Sequence, residues 1–159
     1  MSKVLSAKTC ELHVHIGGCL TVEDLYELGR DMSDQIDWSL FVNSFEDAYG
    51  ERPDPPALYR RARAREGGQV LRPYCVYGRE GGGDFARFQA KFNFSICVFR
   101  HWWHVLNRQD ELLDRIIERH RNEGLRYVEY RAMAPFDADD ADDFIDFHCT
   151  MARAMLRGQ

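Results

Sequence analysis

Two histidines one residue apart, His13 and His15, carry the strongest chemical signal in this chain. They lie in the run T-C-E-L-H-V-H, Thr9 to His15, which alternates as an extended strand does. On a two-residue period Leu12 and Val14 take one side, while Glu11, His13 and His15 take the other. Two imidazoles on one side of a strand can converge on a single metal ion. The residues alone leave two readings open, a metal pair and a structural pair hydrogen-bonded in the interior. Other groups draw weaker readings. His101 and His104 stand beside Trp102 and Trp103 and read as packing or surface residues. Glu129 and Arg131 share a strand face and can pair with each other. Arg60, Arg61, Arg63 and Arg65 read as a solvated helical face. Gly81-Gly82-Gly83 lacks the following Gly-Lys-Ser/Thr of a phosphate loop and reads as a connector.

The elements that must position these groups follow from periodicity. Gly17 and Gly18 end the first strand, and Thr21 suits a helix N-cap with Asp24 at the third helical position, predicting a helix over Val22 to Arg30. Residues Asp31 to Asp84, with R-P-D-P-P-A-L and Y-R-R-A-R-A-R-E-G-G, read as mostly loop with short helices. Phe85, Phe88 and Phe92 recur at helical spacing. Leu112, Leu113, Ile116, Ile117 and His120 form one helical stripe over Asp110 to Glu123, and Gly124 stands where a helix stops. Leu125 to Arg131 is a second strand. The acidic run Asp137 to Asp143 suits a helix N-terminus, with Phe144, Phe147, His148, Met151 and Met155 as the expected buried stripe. Strands alternating with helices predict an α/β fold with parallel strands and helical crossovers.

Composition sets the bounds. A chain of 159 residues that is 45% hydrophobic and 13% aromatic can bury a core. No stretch approaches the roughly 18 uninterrupted apolar residues of a membrane span, and the first nine residues lack the apolar centre of a secretory signal, so the expected compartment is the cytoplasm. Five widely spaced cysteines with no C-x-x-C predict free, mostly buried thiols. A net charge of -5 argues against a dedicated nucleic-acid surface and toward a small-molecule or protein partner.

Three motifs, in order, resemble the adenosine and AMP deaminase family: K-T-C-E-L-H-V-H-I-G-G-C-L (Lys8 to Leu20) its opening strand, F-Q-A-K-F (Phe88 to Phe92) its aromatic helix over the pocket, and E-G-L-R-Y-V-E-Y-R (Glu123 to Arg131) its second barrel strand. The match is weak between residues 31 and 84, which read as an insertion. The resemblance implies the first strands and helices of a (β/α)8 TIM-type barrel, with Zn2+ held by His13 and His15. It also implies hydrolytic deamination of a purine nucleoside or nucleotide, with Phe88 and Phe92 toward the substrate. A later histidine, a late aspartate and a proton-handling glutamate have no counterpart in this chain, so no catalytic residue is assigned. Gly17 stands where adenosine deaminases commonly carry an acidic sugar contact, which turns the expectation toward a phosphorylated nucleoside or another base.

Because such barrels need about 250 residues, the expectation is a chain incomplete for catalysis, completed by the remaining half of a barrel or by a complementing chain. The alternative is a non-catalytic α/β interaction module or subunit derived from the deaminase fold.

Overall fold

The computed structural model describes residues 9–78, 82–132 and 141–157. They divide into two compact units, one built from Met1–Cys19 together with Asn107–Gln159 and the other from Leu20–Leu106.

The first unit holds both strands, β1 (Thr9–His15) and β2 (Leu125–Arg131), paired in parallel with Thr9 opposite Leu125 and His15 opposite Arg131. The register slips between Glu11 and Val14, where β1 spends one residue more than β2, so a bulge falls at Leu12 and His13. Helix α6 (Gln109–Asn122) leads into β2. It forms because Leu112, Leu113, Ile116 and His120 recur every three or four residues and are buried together. Asp110 and Glu111 open it and Arg119 to Arg121 close it, each favourable to the helix dipole. Gly124, at φ +80°, takes the left-handed turn that lets the chain leave α6 for the strand. Helix α7 (Ala141–Arg157) buries Phe147, Met151 and Ala154. Its last residue, Arg157, reaches Asp110 and Asp114 at 2.9 Å, so the end of α7 meets the start of α6.

The second unit is helical: α1 (Val22–Gly29), α2 (Ser39–Tyr49), α3 (Pro55–Arg61), α4 (Arg72–Cys75) and α5 (Phe85–Arg100). Helix α1 starts where Thr21 and Asp24 form a reciprocal capping box, as their spacing predicts. Trp38, Phe41, Tyr59 and Phe94 meet as one aromatic cluster, with ring centroids 4.9 Å apart for Trp38 and Phe94 and 5.0 Å for Phe41 and Phe94. Buried polar tips find backbone partners: the Tyr59 hydroxyl donates to the Leu25 carbonyl at 2.7 Å and the Trp102 indole to that of Leu28 at 3.0 Å. Gly29 packs against the Tyr59 ring so closely that a Cβ there would lie 2.2 Å from the hydroxyl oxygen.

The expected partial (β/α)8 barrel is overturned. The described residues are mostly helical and contribute only two strands to a single sheet. A barrel strand buries its inward side chains in packed layers. Here Glu11, Leu12, His13 and His15 are all exposed, Leu12 at 61%. Residues 31–84 also carry more helix than their Pro, Gly and Arg content predicts, because the aromatic cluster draws α2, α3 and α5 together. In α7 the expected stripe is corrected as well: Phe147 and Met151 are buried, but Phe144 and His148 are exposed. Residues 137–140 of the acidic run, with Lys8 and Gly81, lie outside the described residues. Two cysteines, Cys19 and Cys97, are buried, Cys75 is half-buried, and Cys10 and Cys149 are exposed, all of them free. No helix among the described residues is long and apolar enough to cross a membrane.

Candidate metal centre

His13 and His15 stand at the C-terminal end of β1, His13 within the bulge and His15 just past it. Their ring centroids are 5.3 Å apart, with planes tilted 48°, and their Nε2 atoms approach to 3.4 Å. That separation is within reach of a hydrogen bond between the two rings, though longer than the usual 2.9–3.0 Å. It also matches a coordination edge: two nitrogens each about 2.0–2.1 Å from a tetrahedral zinc ion lie roughly 3.3–3.4 Å from one another. The donor chemistry and the spacing therefore suit two positions on a zinc ion. Among the described residues no group of three or more His, Cys, Asp or Glu side chains gathers around a common point.

The pair opens on a cavity of about 610 Å³. On the strand side it is lined by His13, His15, Tyr130, Arg131 and Ala132, and on the α7 side by His148, Met151, Ala152 and Met155. All of these belong to the first unit. The wall is apolar below and cationic at its edge, where Arg131 stands 4.0 Å from Glu129, both well exposed.

Behind the pair the turn is pinned. Ile16–Gly18 forms one turn of 3-10 helix, and the Cys19 thiol donates to the His15 carbonyl at 3.5 Å. Burial pushes that thiol up to about 11, which Arg119 only partly offsets, so Cys19 stays protonated and structural rather than offering a thiolate to a metal. Arg119 donates to the Cys19 carbonyl. Deeper still, His120 and Tyr130 form a half-buried hydrogen-bonded pair.

The remaining sequence-derived residues fall elsewhere. Gly17 is buried inside the 3-10 turn and does not line the cavity. Phe88 and Phe92 lie on α5 of the second unit, stacked at 5.9 Å, with Tyr77 edge-on to Phe88. His101 is buried with Nε2 unpartnered, whereas His104 is exposed. Arg60 pairs with Asp34 at 3.4 Å and Arg63 is exposed, as a solvated face requires. Sequence reasoning missed His148 as a member of the His13 and His15 cavity. Its signal was the i, i+3, i+4, i+7 series His148, Met151, Ala152 and Met155, which puts a histidine on the same helix face as two methionines.

No protein-family model, curated protein or solved structure matches the chain, so the deaminase resemblance stands on its three motifs alone.

Proposed function

We propose that the chain binds zinc through His13 and His15 and takes part in the hydrolytic deamination of a purine nucleoside or nucleotide. The observation that carries the zinc reading is the 3.4 Å separation of the two Nε2 atoms at a strand end that opens on a cavity. The substrate class follows from the resemblance. A cavity of about 610 Å³ falls in the ordinary range for small-molecule sites, about 300–1,000 Å³. When bound, zinc supplies a water of lowered pKa that is nucleophilic at neutral pH. The chain's own residues supply the rest of the wall. Met151, Met155 and Tyr130 offer the apolar surface on which a base ring can lie, and Arg131 offers a cation to a phosphate.

None of the described cavity-lining residues is an aspartate or glutamate. By the resemblance the proton-handling acid belongs to a complementing chain, and this chain by itself is expected to turn over at background rate. The second reading is a non-catalytic interaction module. The two are separated by purifying the chain, measuring bound zinc, and following purine absorbance with and without added candidate partners. Stoichiometric zinc lost in His13→Ala supports the first reading. A zinc-free chain that stays folded supports the second.

A further inference from the structure

We infer that the outer edge of β2 is a docking site for an extended, acidic segment of a partner polypeptide, which adds to the sheet as a third strand. The inference is independent of the zinc reading, because neither His13 nor His15 lines the cavity concerned. Among the described residues the sheet has two strands, so β2 is paired on its β1 side alone. Beside it lies a second cavity of about 540 Å³, formed within the first unit.

The strand meets this cavity by its edge rather than by a face. The Tyr127 hydroxyl donates to Glu129 at 2.8 Å, which puts those two on one face, while Tyr130 meets His120 of α6, which puts Val128 and Arg126 on the helix-facing side. Tyr127 and Val128 nevertheless both line the cavity, as do Leu125 and Arg126. Four successive residues of alternating direction share one cavity where a strand presents its main chain to it. Exposure agrees: Arg126 and Tyr127, adjacent and on opposite faces, are both exposed, and burial along β2 has no two-residue period. Main-chain N–H and C=O groups set along such an edge are a template for another strand.

The walls give the chemistry of the occupant. Ile117 of α6 and Met155 of α7 stand with Val128 as the apolar part, Arg121 and Arg126 supply cations, and no described residue lining the cavity is an aspartate or glutamate. An extended segment with apolar side chains toward the helices and carboxylates beside the two arginines complements this wall. The opposite edge of the sheet is the poorer template, because the bulge at Leu12 and His13 lies on β1 and disrupts pairing there.

The test uses the full chain in metal-free buffer and three fluorescent synthetic peptides of seven residues, the length of β2. One alternates valine with glutamate, one carries lysine in place of glutamate, and one is acidic but N-methylated at alternate amides so that it cannot complete a ladder. The acidic peptide is expected to bind saturably and to slow hydrogen exchange at the outward amides of Leu125–Arg131, with the other two weaker by about 10-fold or more. Arg121→Glu and Arg126→Glu, both at exposed positions, should each weaken the acidic peptide about 3–10-fold and strengthen the basic one, a gain that a misfolded variant would not show. An acidic peptide that fails to bind, binds no better than the other two, or protects amides elsewhere overturns the inference. Octanoate binding without peptide binding makes the cavity a small-anion site and also overturns it. So does protection of the outward amides in the free chain: if it rises with protein concentration the occupant is a second copy, and if it does not, this chain fills its own edge.

Discussion

His120 and Tyr130 lie face to face, their ring centroids 5.7 Å apart and planes within 12°, with Nδ1 2.7 Å from the phenol oxygen. The pair links α6 to β2 directly behind the cavity wall, and burial shifts both groups away from their charged forms. His120 is held below its ordinary value of 6.5, first by desolvation and then by Arg119, and Tyr130 is pushed up to about 12 by burial.

Acid sensitivity follows. Below pH 6.5 the unfolded chain takes up a proton that folded His120 resists, so the stability contributed by the neutral ring is complete above that pH and is lost as pH falls. Buried His101 is lowered in the same direction by desolvation and adds to the effect. The slope is at most about 1.4 kcal/mol per pH unit for each group. Urea unfolding between pH 7.5 and 5 should show the decline, and His120→Gln should flatten it. An unchanged slope in that variant rules out His120 as a source.

At high pH the sign reverses. Tyr130 ionises near 10 in the unfolded chain and near 12 in the fold, so its contribution is intact below pH 10 and lost as pH rises toward 12. Tyr59, also raised by burial, acts in the same sense. Tyr130→Phe should shrink the alkaline loss while costing about 1 kcal/mol at neutral pH for the hydrogen bond removed. Equilibrium unfolding at pH 7.5 and 10.5 measures both.

Gly29→Ala should destabilise the second unit by about 1–3 kcal/mol, because the added methyl would stand inside the Tyr59 ring, which has no room to retreat from its aromatic neighbours. Thermal unfolding checks this. A variant as stable as the wild type would show that Tyr59 is free to move.

Zinc should raise the unfolding midpoint, by about 2.7 kcal/mol of stability at free zinc 100 times its Kd. A chelator should reverse the gain, and His15→Ala should remove it. Differential scanning at fixed free zinc reads all three.

Gly17→Asp is expected to lower stability rather than to improve recognition of an unphosphorylated sugar, since the position is buried in a turn outside the cavity lining. Chemical denaturation of the variant against the wild type decides the matter, and equal stability would mean the carboxylate reaches water.

Local signals were the legible ones. The alternation of T-C-E-L-H-V-H and L-R-Y-V-E-Y-R marks both strands with their observed ends. The Thr21 and Asp24 spacing marks a capping box that is present, and the α6 stripe lies within a residue or so of its predicted span. What escaped depends on distant partners. Nothing near Trp38 announces that Tyr59 and Phe94 will meet it, yet that meeting holds α2, α3 and α5 together. The bulge at Leu12 and His13 is set by the register against β2, which alternation in one strand cannot report. Phe144 and His148 fit a helical stripe by spacing, but spacing does not say how wide the buried face is. Two strands of correct type and direction suggested a barrel, although strand number and closure are not written in either strand.

The parallel pairing also has a consequence in time. β1 meets a partner from far along the chain, and the whole helical unit is synthesised between them. At about 5–20 residues per second, the histidine strand waits roughly 5–25 s after leaving the ribosome before β2 exists to pair with it. Until then both its edges offer open backbone groups to any other extended segment. The helices of residues 20–106 can fold in that interval from contacts among themselves, so the face that carries His13 and His15 takes its shape last.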